Sequence, residues 1–329
     1  MAAPRLIPCA LVLASLTVSA CTATTSGPLG GEPRASGVAG GLGEPPAVSS
    51  AAPSVTSTPS QAALAPEAYK GELTPQHKAV ADALKGVLDA RSVKSLNSRL
   101  ERAGQATDGA ATALAALSPP EQVRPQHDAY VSSLREFAAG LSSTSGKVAS
   151  RDLCTSGAVL TALDDRLKAL DAAGEALQQA GDYPADVVTV KAKGKQSRRL
   201  GNGSFVRRGS LNGRSSLQIH NGDSRDAVVT LVRGKSKVLS VYVRKKKKFK
   251  IRGVSDGSYK IFFTHGADWD GKSRAFTRDC SFERFQESVR FKTTFTATRI
   301  RWHDWRITLH AISGGNARTS GVDPDDFPS

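Results

Sequence analysis

His265, Asp268 and Asp270 stand within six residues of one another, and an imidazole beside two carboxylates is a set that binds a divalent cation or passes a proton. Asp323, Asp325 and Asp326 offer oxygen ligands of the kind calcium takes. His77 and His127 offer a pair of imidazoles for a metal. Each group fits a plainer role better: a polar turn, a solvated chain end, or the wet end of a helical bundle. The two histidines lack the Glu-x-x-His spacing of di-metal helical bundles. The chain also has no Gly-x-Ser-x-Gly elbow, no P-loop, no His-Glu-x-x-His and no dinucleotide fingerprint. No catalytic residue, metal or cofactor is therefore assigned, and the chain reads as non-enzymatic. The alternatives are a hydrolase or metal-dependent enzyme, or a ligand sensor built on the helical part.

The stronger chemical signal is cationic. Arg244, Lys245, Lys246, Lys247 and Lys248 form an unbroken basic run, and Lys250 and Arg252 continue it at alternate positions. Such a run cannot be buried. It is expected at the exposed tip of a hairpin between the apolar alternation ending at Val243 and the one restarting at Phe249, with Lys250 and Arg252 on the wet face. Residues 1–189 hold 15 basic and 18 acidic side chains, whereas residues 190–329 hold 30 basic and 12 acidic ones. A field of that sign over one half of the chain attracts polyanions.

The first residues say where those polyanions would be. Arg5, the apolar run Leu6–Leu16 and the small residues Ser19 and Ala20 have the layout of a signal peptide, and the run is too short to span a bilayer. Val18-Ser19-Ala20-Cys21 resembles the lipobox of bacterial lipoproteins. That resemblance implies removal of residues 1–20, a diacylglyceryl group on Cys21, and a lipid-anchored position in the cell envelope, on the outer face of the cytoplasmic membrane. The expected partners are then the membrane through the anchor and anionic wall polymer or lipid head groups, with no intracellular nucleic acid; the sequence names no protein partner. Cys9 leaves with the signal and Cys21 is acylated, so Cys154 and Cys280 are the thiols left in an oxidising compartment. They lack zinc spacing and are expected to form a disulfide.

The elements carrying these groups are read from periodicity. Residues 21–66 are Gly, Ala, Ser, Thr and Pro without an apolar repeat, which predicts a disordered tether. Between 67 and 181, four apolar seams with three-four spacing predict four helices: His77 to Val87, Leu96 to Leu117, Val123 to Val148, and Leu160 to Leu177. Short joints between them predict an up-down bundle. Residues 182–214 read as a basic linker containing Lys191, Lys193, Lys195, Arg198, Arg199, Arg207, Arg208 and Arg214. Short Val-, Ile-, Phe- and Tyr-rich runs over 215–313 predict an antiparallel β-sandwich, and residues 314–329 an extended tail. The predicted class is therefore multidomain, all-α followed by all-β.

Gly253-Val254-Ser255-Asp256-Gly257-Ser258-Tyr259 resembles the Gly-x-x-x-Gly-x-Tyr turn of prealbumin-like and carboxypeptidase-regulatory-like sandwiches. Cys21, the helical part, Thr264 to Asp270, Phe276-Thr277-Arg278, Gly314 to Ala317 and Pro324 to Pro328 together resemble secreted lipoproteins of actinobacteria. The resemblance implies a location and an architecture. It transfers no catalytic residues.

Overall fold

A computed structural model describes residues 62–310 and 317–328; the signal segment, Cys21 and nearly all of the predicted tether lie outside the described residues. A helical part precedes a mostly antiparallel β part. The helices are α1 (Pro66–Leu88), α2 (Val93–Ala115), α3 (Arg124–Ala149), α4 (Ser156–Ala162) and α5 (Asp164–Gln179). Ser92 starts α2 with a reciprocal capping box to Ser95, which pins the tight joint after α1. Leu100, Leu114, Leu134, Phe137, Leu170 and Leu177 fall on the predicted seams and share one buried cluster. α1 packs on α2, α2 on α3, and α3 on α5. The fourth predicted helix is broken in two at Leu163, whose backbone (φ −104°, ψ 4°) leaves the helical region while its side chain stays buried. Among the described residues, no helix is long and apolar enough to cross a membrane.

The strands are β1 (Phe205–Arg207), β2 (Ser215–Asn221), β3 (Asp226–Arg233), β4 (Ser236–Val243), β5 (Lys247–Val254), β6 (Gly257–Asp270), β7 (Ala275–Phe285), β8 (Val289–Phe291), β9 (Thr293–Phe295), β10 (Ile300–Trp302), β11 (Trp305–Thr308) and β12 (Thr319–Gly321). The large sheet runs β1-β4-β3-β6-β7-β12 with β8 also on β6, the small sheet runs β11-β2-β5, and β9 with β10 makes a separate ribbon. Every pairing is antiparallel except β11 with β2. Leu217, Ile219, Ile251 and Ile307 from the small sheet share a core with Val229, Val241, Ile261 and Phe263 from the large one. Val228, Tyr242, Trp269 and Phe276, on the other face of the large sheet, are buried with Cys154 and Cys280 and touch Val93 and Leu200. β3 is thus covered on both faces, which is why Ala227 to Val232 is apolar but for Thr230, whose buried hydroxyl pairs with that of Ser240.

Three sequence expectations change. β4 and β5 do not form a hairpin: β4 pairs with β3 and β1, while β5 pairs with β2, so residues 244–246 turn the chain from one sheet to the other. The alternation at 239–243 and 249–251 is real, but both strands turn their apolar sides into the core between the sheets. The stretch 182–214 is not a free linker, because Tyr183, Ala185 and Val187 are buried at alternate positions against the helices and β1 extends the large sheet. The end of the chain also packs: β12 pairs with β7, and the Phe327 ring meets Phe262 and Phe282 edge-on.

The helical and β parts are joined along one short segment. Leu153 pairs with Arg278, the Cys154 N–H donates to the Thr277 carbonyl (2.9 Å), and the Cys280 N–H donates to the Arg151 carbonyl (3.0 Å). Beside these bonds Cys154 and Cys280 are disulfide-linked, with Cα atoms 6.5 Å apart.

Candidate functional site

The small sheet carries the cationic surface. Its register sets Lys248 opposite His220, Lys250 opposite Gln218 and Arg252 opposite Ser216 on β2, and Arg306 beside Gln218 from β11. Side chains alternate across a sheet. Leu217, Ile219, Ile251 and Ile307 face the core, so Lys248, Lys250, Arg252 and Arg306 project together from the outer face, and all are exposed. The Arg306 Nε donates to the Gln218 Oε1 at 3.1 Å, which fixes the guanidinium beside Lys250. Asp304 uses Oδ1 to accept the Ser216 N–H (2.7 Å) and places Oδ2 4.0 Å from the Lys250 Nζ. With both side chains about half exposed, that pair contributes little. Burial first, and then Lys248, His310 and Lys246, hold the His220 pKa below its ordinary value.

The turn before β5 is held by its backbone. The Arg244 N–H donates to the Asn202 Oδ1 (3.0 Å), its Nε donates to the Leu200 carbonyl (2.8 Å), and the Lys245 N–H donates to the Asp226 Oδ1 (2.8 Å). Lys246 takes a left-handed φ of 58°, and its Nζ donates to the Gly222 carbonyl. Arg244 and Lys246 thus have partners in the fold, while the side chains of Lys245 and Lys247 are exposed near the start of β5.

The basic strap divides in two. Arg198 donates from its backbone N–H, Nε and Nη2 to the Asp268 carboxylate at 2.8–3.0 Å and from Nη1 to Asp270 at 3.0 Å, while the Thr277 hydroxyl donates to Asp268 at 2.7 Å. Arg199 grips Asp226 through two bonds of 2.6 Å, and the Tyr242 hydroxyl donates to the same carboxylate. Burial alone would raise both carboxyl pKa values; the donors reverse that, and both lie below the usual range. These two arginines are structural, whereas Lys191, Lys193, Lys195, Arg207, Arg208 and Arg214 of the same stretch are exposed. The doublet Arg198-Arg199 and the lone Asp226 at the head of an apolar strand were the available signals, but nothing in their spacing paired them.

The acid-base set is not assembled. Asp268 and Asp270 belong to Arg198, whereas His265, 1% exposed, has no hydrogen-bond partner for either ring nitrogen among the described residues and stacks edge-on against Phe263. Burial lowers the His265 pKa to about 4; Asp223 opposes that, and Arg225 and His310 reinforce it. A histidine neutral in the fold and protonated in the unfolded chain supplies stability that is complete near pH 7. That stability is lost as pH falls from the unfolded value near 6.5 toward 4. Urea unfolding is expected to show about 2 to 3 kcal/mol lost between pH 7 and pH 4.5, and His265→Leu should remove most of that slope. Equal slopes in the two proteins would assign the acid sensitivity elsewhere.

The His127 Nδ1 lies 2.8 Å from the Tyr69 hydroxyl inside the helical core, and the His77 Nε2 lies 2.7 Å from the Asp186 carbonyl, so each imidazole has its own partner. Asp323 accepts the Asp325 N–H in a local turn (2.9 Å). Among the described residues, no cluster of three His, Cys, Asp or Glu side chains is placed to hold a metal ion. No protein-family model, curated protein or solved structure matches the chain.

Proposed function

We propose that the chain is a non-enzymatic lipoprotein of the cell envelope, anchored through Cys21, in which an up-down four-helix bundle supports a β-sandwich that engages phosphate groups of anionic lipid or wall polymer. In this reading α4 and α5 together are the fourth helix and the two facing sheets are the sandwich. The observation that carries it is the outer face of the small sheet, where Lys248, Lys250, Arg252 and Arg306 project side by side, with Lys245 and Lys247 exposed near the start of β5. A cation held near an anionic surface contributes about 1 kcal/mol, less as salt rises. Attachment by a lipid would keep that face at high effective concentration near its target.

The test uses the soluble chain from residue 21 with Cys21→Ser, retaining both parts because they share backbone hydrogen bonds and the disulfide. Co-sedimentation with phosphatidylglycerol vesicles and with a glycerol-phosphate polymer separates the two phosphate sources. Replacing Lys248, Lys250, Arg252 and Arg306 by Ser should weaken low-salt binding by about a hundredfold. Replacing Lys245, Lys246 and Lys247 should do less. Wild-type binding by the four-residue variant, or no wild-type binding to either probe, ends this reading.

A further inference from the structure

The ribbon of β9 and β10 pairs Phe295 with Ile300, Thr294 with Arg301, and Thr293 with Trp302. Opposed residues share a side and successive pairs switch sides. Phe295, Ile300 and Trp302 therefore form one apolar side, with Thr294 and Arg301 on the other. Their exposures are 67%, 41% and 48%, and Trp305 at the base is 39% exposed. These are the exposed large hydrophobic residues among the described residues. Scattered apolar residues on a surface need no explanation, but a contiguous aromatic patch does.

A lone two-stranded ribbon is marginally stable in water, yet this one is braced. Asp256 accepts the Thr293 N–H (2.6 Å) and hydroxyl (2.9 Å), and Thr296 and Arg299 close the tip with a reciprocal pair of bonds at 2.8 and 3.0 Å. At the base the Trp305 Nε1 donates to the Arg290 carbonyl at 2.9 Å. The fold thus presents the apolar side on a fixed support. Around it stand Arg290, Lys292, Arg299, Arg301 and Arg306, against Asp304 alone from residue 289 to 306. The ribbon leads directly into β11, the edge strand of the basic sheet, and Asp304 lies 4.0 Å from Lys250.

We propose that this ribbon is a membrane-insertion element, with Phe295, Ile300 and Trp302 entering the boundary between head groups and acyl chains of an anionic bilayer while Lys292, Arg299 and Arg301 stay at the phosphates. The inference rests on the anionic-surface reading above and selects the bilayer as its target. A wall polymer supplies phosphate but no apolar phase. A second copy of the chain would bring the same cations face to face, at an electrostatic cost. A bilayer interface satisfies both sides of the ribbon, and tryptophan is the residue enriched there.

Tryptophan emission tests it in the soluble full chain, because Trp269 is 4% exposed and remote from lipid access while Trp302 and Trp305 are open. Adding anionic vesicles should shift emission to the blue, and lipids brominated along the acyl chain should quench it, with Trp302→Phe losing most of the quenching. Phe295→Ser with Ile300→Ser, both at exposed positions, should lower partitioning by at least about tenfold and remove the part that survives high salt. Vesicle binding without bromolipid quenching overturns insertion and leaves the basic-face reading standing. Absence of any vesicle binding overturns insertion, and polymer binding then decides the basic-face reading alone. A concentration-dependent dimer, abolished by the double substitution and formed without quenching, assigns the ribbon to a second copy and overturns the proposal.

Discussion

Asp226→Ala is expected to destabilise the protein by about 3 kcal/mol, chiefly through the donors it would strand. The carboxylate is 6% exposed and accepts from Arg199, from the Tyr242 hydroxyl and from the Lys245 N–H. Arg199 is 37% exposed and can turn to water, so its loss counts for little; Tyr242 is fully buried and cannot. The double variant Asp226→Ala, Tyr242→Phe should therefore recover part of the loss, since the hydroxyl without an acceptor is gone. Chemical denaturation of the four members of this cycle measures it. A loss below about 1 kcal/mol for Asp226→Ala would show that water satisfies the stranded groups. Because Lys245 is held by this carboxylate, the single variant should also loosen the turn that leads into the basic face.

Removing the bond between Cys154 and Cys280 is expected to cost still more. The linked residues are 126 apart in sequence, and a loop of that size constrains the unfolded chain by about 5 kcal/mol on the chain-entropy account. The backbone pairing of residues 151–154 with β7 does not require the sulfurs, so the reduced protein should keep its arrangement and lose stability. Comparing urea midpoints of the oxidised protein, the reduced protein and Cys154→Ser with Cys280→Ser separates the bond from the packing of its atoms. Coincident oxidised and reduced curves would refute an entropic contribution.

What could be read from the sequence was whatever depends on local period. The seam residues Leu96, Leu100, Leu134 and Leu170 are buried together, and β2 to β11 fall within the stretch 215–313 whose short apolar runs predict strands, because burial imposes a local pattern on the chain. Partner choice was not legible. Val243 and Phe249 flank a turn in the same way whether their strands pair with each other or part into different sheets, and only the competition from β2 and β3 decides. The candidate site followed the same division. Lys248, Lys250 and Arg252 were found from their run, while Arg306 reaches the same face through a parallel pairing 88 residues from Gln218 and left no local trace. Arg198 and Arg199 looked free because their carboxylates lie at Asp226, Asp268 and Asp270, far along the chain.

The closed ring between Cys154 and Cys280 also governs how the molecule responds to a cut. It contains α4, α5, the strap and the strands from β1 to the middle of β7, so a protease that severs one peptide bond within it leaves a single covalent body. An exposed stretch such as Lys193 to Lys195, between the helices and β1, can then be nicked without releasing the basic face from the helical part. Only reduction would let the two pieces part, which ties the integrity of this surface to the redox conditions around it as well as to its peptide backbone.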